Sequence, residues 1–220
     1  MNDSPDAAPE FIVVEGPIGV GKTSLATRLA DSLACPRLLE QAEENPFLER
    51  FYRDARAAAF PAQLHFMFQR SRQLEQLRQR DLFAHGLVAD FMFQKERLFA
   101  ELNLAREELT LYDEIYGRLS MDAPRPDLVV YLQAPVDVLL QRVRRRDRAM
   151  ERSLSTDYLA GLVDAYARFF YFYEESPVLI VNAAEINPVE NDADYAALLA
   201  EICRPRRGRH YFNPSPLAIN

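Results

Sequence analysis

The segment Gly16-Pro17-Ile18-Gly19-Val20-Gly21-Lys22-Thr23-Ser24 sets glycines ahead of an adjacent lysine and two hydroxyl residues. Its spacing is G-x-x-x-x-G-K-[ST], the pattern of a phosphate-binding loop (P-loop). The glycines let backbone N–H groups curl inward around phosphate oxygens, which side chains would otherwise block. Lys22 is placed to reach the β- and γ-phosphates of ATP, and the Thr23 hydroxyl to ligate Mg²⁺. A helix beginning near Lys22 would turn its positive end toward the same anion.

Such a loop leaves the phosphoryl acceptor open. An acceptor that is already a phosphate needs cations around it, whereas an alcohol must lose a proton and gains from a placed carboxylate. Glu40 ends a short apolar stretch, ahead of Gln41-Ala42-Glu43-Glu44-Asn45-Pro46, and is the candidate base. Asp90 follows Leu87-Val88-Ala89 in the same way and is a candidate for holding Mg²⁺ or its waters. By position alone, both also fit solvated acids at strand ends. Arg142, Arg144, Arg145, Arg146, Arg148 and Arg152 concentrate in eleven residues. Guanidinium groups in a lid can stabilise the charge spread over a transferring phosphoryl, although such runs also line solvated or nucleic-acid-binding faces. Gln63, Phe66 and Arg70 fall at i, i+3 and i+7, on one face of a helix, with Met67 beside the stripe and Phe68 elsewhere. That face suits an aromatic-walled pocket with an amide for a base edge, and equally an amphipathic core helix with polar edges. No Asn-Lys-x-Asp segment of the guanine-reading kind occurs.

These residues need a scaffold. Apolar runs predict strands at 11–15, 37–40, 86–90, 127–133 and 177–182, and helical spacing predicts helices over 22–33, 60–83, 93–119, 135–146 and 156–174. The alternation predicts an α/β fold with a five-stranded parallel sheet flanked by helices on both faces. In an open sheet of this kind the carboxyl ends of the strands face the ligand crevice, which gathers the loop, Glu40 and Asp90 on one rim.

Bulk properties narrow the partners. The net charge of −7 argues against a nucleic-acid binder, while a local basic pocket for a small anion stays compatible with it. Two distant cysteines, Cys35 and Cys203, point to a reducing compartment, and a cytoplasmic location is expected. No apolar run nears the ~20 residues that span a bilayer, so no membrane partner is expected.

From Val14-Glu15-Gly16 to about Ile202 the chain resembles the deoxynucleoside kinases. The stretch Glu43-Glu44-Asn45-Pro46-Phe47-Leu48 with Phe51-Tyr52 is similar to their bacterial branch. The resemblance implies a P-loop kinase fold and transfer of the ATP γ-phosphoryl to the 5′-hydroxyl of a deoxynucleoside in nucleotide salvage. Deoxyadenosine, deoxyguanosine or deoxycytidine would be favoured over thymidine. It implies Glu40 as base, Tyr52 and Glu151 on the sugar 3′-hydroxyl, Gln63 on the base edge, and an Arg70–Glu96 pair behind it. Arg146 and Arg148 would hold the phosphates, Arg142 would stack on the donor adenine, and the molecule would be a homodimer. The kinase domain would span 10–203 with its lid at about 142–154. Residues 1–9 are expected to be disordered and 204–220 to form a mobile or surface-draped tail.

Two departures stand out. Where relatives carry an acid-Arg-Ser triplet, this chain reads Asp90-Phe91-Met92, so an arginine is missing. Lys95 and Arg118 are basic residues that could supply the charge, and the sequence leaves the choice open. Asp147 and Ser153 stand where small glycines are common in the lid. The alternatives are a nucleoside monophosphate kinase, such as a thymidylate-like enzyme, and a non-catalytic ATP-binding protein.

Overall fold

The structure, a computed structural model, describes residues 9–79, 86–119 and 123–213. Its centre is strand β1 (Phe11–Glu15), buried at every position. A strand covered on both faces reads as a continuous apolar run, and β1 does so until Glu15. Successive side chains point to opposite faces. Phe11 and Val13 therefore join one core cluster with Met67, Tyr112 and Tyr166, while Ile12 and Val14 join another with Leu25, Leu29 and Leu198.

Beside β1 run β2 (Arg37–Leu38), β3 (Leu87–Ala89), β4 (Leu128–Gln133), β5 (Val178–Asn182) and β6 (Arg209–Phe212). All pairings are parallel, in the order β2-β3-β1-β4-β5-β6. The sheet thus has six strands, not the expected five. The extra strand, β6, comes from the segment expected to be a loose tail. It is mostly exposed, so no burial pattern marks it in sequence. Backbone pairing with β5 from Val178↔Arg209 to Val181↔Phe212 holds it instead. The expectations for residues 1–8 and 214–220 lie outside the described residues.

Helices α1 (Lys22–Ser32), α6 (Val136–Arg146) and α8 (Asp192–Ile202) bring Leu25, Leu139 and Leu198 to one face of the sheet. The other face is covered by α3 (Ala55–Gln79), α4 (Lys95–Asn103), α5 (Arg106–Leu119) and α7 (Thr156–Phe172). A short α2 (Leu48–Arg53) packs Leu48 and Phe51 against Ala58, Ala62 and Phe66 of α3. Helix α3 begins five residues before the stretch expected from sequence and runs through Pro61. The alanines at 55 and 57–59 favour helix, and Asp54 Oδ1 accepts from Ala57 N at 3.3 Å at its start. The continuous helix expected over 93–119 is two. Leu104 is extended, and Glu108 accepts from Ala105 N at 3.0 Å to restart the chain as α5.

Candidate active site

Three strands deliver the chemistry to one rim. The P-loop follows β1, Glu40 follows β2 and Asp90 follows β3. Gly16 has φ +147°, and a Cβ there would lie 2.4 Å from the Leu132 carbonyl oxygen. Gly19 has φ +86°, and its Cβ would meet Val143 Cγ2 at 2.8 Å. Any side chain would thus push the loop off its strand and helix neighbours. Lys22 opens α1 and folds back over the loop, donating to the carbonyl oxygens of Gly16 at 2.8 Å and Pro17 at 3.2 Å. The residue is only partly covered, but its ammonium lies in a desolvated place. Burial, then the charge of Lys95, lowers its pKa to about 8, against the opposing pull of Glu15 and Asp90.

Asp90 is buried and double-bonded into the site: Thr23 Oγ1 donates to its Oδ2 at 2.5 Å, and Glu40 N donates to its Oδ1 at 2.7 Å. One hydroxyl and one carboxylate are therefore adjacent. Among the described residues, no three or more His, Cys, Asp or Glu side chains are grouped so that they alone could hold a metal ion. This donor set fits an oxygen-seeking ion that keeps several waters and takes phosphate oxygens, the habit of Mg²⁺.

Behind this rim lies a buried lattice of charges. Arg70 of α3 pairs with both Glu40 and Glu96, and its guanidinium lies 4.9 Å from the Phe66 ring centroid and 5.5 Å from that of Phe91. Burial lowers the Arg70 pKa to about 10, opposed first by Glu15. Glu96 also accepts from Tyr112 OH at 3.0 Å. Lys95 Nζ stands 3.3 Å from Glu15 Oε1 and 3.5 Å from Glu40 Oε1. Burial lowers its pKa to about 8, with Glu15 the strongest opposing influence. Glu15 itself is fully buried, accepting from Gly16 N at 3.1 Å, Met92 N at 2.9 Å and Tyr166 OH at 3.0 Å. Arg118, the other basic residue considered for the missing arginine, is exposed.

One cavity brings together Lys22, Thr23, Glu40, Tyr52, Gln63, Phe66, Arg70, Arg146, Arg148 and Glu151 from the sequence-derived set. Asp90 and Glu96 stand just behind its wall, bonded to Glu40 and Arg70 respectively. Arg146 makes a two-pronged pair with Glu151, with Nε–Oε2 at 2.7 Å, and Arg148 Nη1 lies 2.9 Å from Glu43 Oε1. Burial raises the Tyr52 pKa, with Tyr158 and Glu151 acting in the same direction. In the lid, Asp147 has φ +44°, the left-handed conformation glycine takes readily, and its carboxylate grips Arg152 through two contacts of 3.1 Å. Arg144 is exposed and Arg145 pairs with Glu190 at 2.6 Å, both away from the cavity.

Arg142 is not in this cavity. It lines a separate groove with Val20, Gly21 and Ser24, donating to the Val20 and Ala183 carbonyls at 3.2 and 2.7 Å. Five cavity residues were given no site role from sequence: Ala42, Leu48, Phe51, Phe99 and Tyr158. Their apolar spacing does not say which face turns to a ligand. Glu15 also escaped notice, although an acid closing an otherwise apolar buried strand was a legible signal.

A glycine loop facing a carboxylate that cations hold, under an arginine lid, defines a P-loop phosphotransferase. The chain belongs to the deoxynucleoside kinase family, whose model, described as "Deoxynucleoside kinase", matches residues 12–204. It is 33% identical over 207 residues to a deoxyguanosine kinase of Bacillus subtilis, covering 92% of this chain and 98% of that one. A deoxyadenosine kinase of Lactobacillus acidophilus is 28% identical over 208 residues, covering 88% and 94%. Among solved structures, the deoxyadenosine kinase of M. mycoides with dCMP and a flexible dCDP superposes with a TM-score of 0.76 at 22% identity, over 87% of this chain and 97% of that one. The same enzyme with bound dATP gives 0.74 at 22% identity, over 85% and 97%. The resemblance and the α/β P-loop kinase fold read from sequence are borne out. The readings as a monophosphate kinase or a non-catalytic ATP-binding protein give way to this membership.

Proposed function

We propose that the chain transfers the γ-phosphoryl group of ATP to the 5′-hydroxyl of a deoxynucleoside, with Glu40 as general base. The 5′-oxygen attacks the γ-phosphorus, the bond to the β,γ-bridging oxygen breaks, ADP leaves, and the hydroxyl proton passes to Glu40. The observation that carries this reading is Glu40 itself, held by Arg70 and Lys95 in the cavity that also receives Lys22, Thr23 and the lid arginines. The two cations hold the carboxylate in place, facing the phosphate-binding loop. Thr23 and Asp90 would hold Mg²⁺, directly or through water, and the ion would supply neutralisation of charge on the phosphates. Lys22, Arg146 and Arg148 stabilise the charge that spreads over the phosphoryl oxygens. The lid arginines are prepared for this, because phosphate oxygens would replace the carboxylates of Glu151 and Glu43 that they now contact. Arg142 lies beside the far end of the P-loop and meets the donor base.

Tyr52 and Glu151 bind the sugar 3′-hydroxyl, and Gln63 reads the base edge against Phe66 and the Arg70–Glu96 pair. The deoxyguanosine and deoxyadenosine kinases among the relatives support a purine preference, with deoxycytidine next. The molecule acts as a homodimer in the cytoplasm. Free Cys35 and Cys203 agree with a reducing compartment, and no helix among the described residues is long and apolar enough to cross a membrane. A groove of Leu102, Phe169 and Phe172, edged by Arg97, Arg168, Asp164 and Glu175, offers a self-complementary face for a second copy. A phosphorylation panel of the four deoxynucleosides and their ribose counterparts, with ATP and Mg²⁺, tests the reading. Turnover of monophosphates alone would overturn it.

A further inference from the structure

Lys95, one of the two cations that hold Glu40, is enclosed more completely than a surface partner of that carboxylate would be. It is the first residue of α4, where the helix end is itself positive, and its side chain is 2% exposed. A lysine ammonium is costly to bury and is placed here against the helix dipole. Only a strong local use of its charge offsets that. Its ammonium sits between two carboxylates, 3.3 Å from Glu15 and 3.5 Å from Glu40.

The two acids belong to different parts of the machine. Glu15 binds Gly16 N, the first amide of the P-loop, and Met92 N, beyond β3. Glu40 is the proposed base. Its other cation, Arg70, is divided between Glu40 and Glu96 of the base pocket.

From this geometry we propose that Lys95 is the positioning residue of phosphoryl transfer, tying Glu40 through Glu15 to the phosphate-binding loop. The base is thereby held at a fixed offset from the loop that holds the donor. An offset error of about 1 Å is enough to cost on the order of a hundredfold in rate. The inference rests on the kinase reading above.

Because Lys95 acts through Glu40, its removal should matter only while Glu40 is present. Lys95→Met, Glu40→Gln and the double variant are compared with the unaltered enzyme for kcat, deoxynucleoside KM, ATP affinity and Tm. Lys95→Met is expected to lower kcat by on the order of a hundredfold with KM changed by less than about threefold, the mark of an interaction used in the transition state. In the Glu40→Gln background the same change should lower kcat by less than about threefold. Losses that multiply, or a Lys95→Met kcat within about threefold of the unaltered enzyme, would overturn the proposal. If the methionine variant does not fold, Lys95→Arg decides. Retained kcat within about tenfold supports a positioning cation, and a hundredfold loss in a folded protein refutes it. Turnover by the unaltered enzyme in the same assay reports separately on the kinase reading.

Discussion

At the scale of single residues, charge placement dominates. Glu40, Glu15, Asp90 and Glu96 converge with Lys22, Lys95 and Arg70 in a space that excludes most water. Glu40→Gln keeps shape and removes the proton acceptor. General-base catalysis is worth on the order of 10²–10⁴-fold, so kcat should fall by that factor while ATP affinity, measured by calorimetry, stays within about twofold. Unchanged turnover would reject Glu40 as base. Lys22 makes a second prediction. With its pKa lowered to about 8, it is partly neutral at pH 8.5, and the negative charge of a bound triphosphate raises that pKa again. ATP binding at pH 8.5 should therefore take up a proton, and the uptake should vanish below about pH 7, where Lys22 is already charged. Calorimetry in buffers of different ionisation enthalpy reads this directly. A heat independent of buffer at pH 8.5 would contradict it.

At the scale of elements, the site depends on how closely the loop after β1 lies against β4 and α6. A methyl group on Gly16 would run into the Leu132 carbonyl, and on Gly19 into Val143 and the Leu139 carbonyl. Overpacking of this kind costs about 1–3 kcal/mol, and the positive φ adds to it. Gly16→Ala should lower Tm by about 2–12 °C by thermal denaturation, on the usual scaling for a chain of 220 residues. It should also weaken ATP binding, because the Gly16 amide leaves its place. Gly117, around which an added Cβ finds open space, is the control: Gly117→Ala should keep ATP affinity and not lower Tm.

For the whole molecule, the open question of association has a physical handle. The neighbouring helices α4 and α7 expose Leu102 at 37% and Phe172 at 72%, side by side with charges of both signs. A second copy covering this groove removes apolar surface from water. Sedimentation should give twice the 25.3 kDa chain mass, and Phe172→Glu with Leu102→Glu should shift it to the monomer. A monomeric unaltered protein would remove the homodimer from the proposal.

What the sequence determined by itself were the features written in neighbouring residues. The P-loop carries its spacing in one contiguous segment. The buried strands announce themselves as apolar runs, and Gln63, Phe66 and Arg70 share a face because a helix of 3.6 residues per turn obliges them to. Tertiary structure decided the rest, because those facts depend on partners far along the chain. Strand β6 is exposed and gains its place from backbone pairing with β5, which side-chain pattern does not encode. The start of α4 at Lys95 looks in sequence like any charged helix end. Only the approach of β1 and the end of β2 shows that its ammonium is enclosed between Glu15 and Glu40. Local periodicity fixes which residues share an element; the energy of burying a charge is settled by what the fold brings against it.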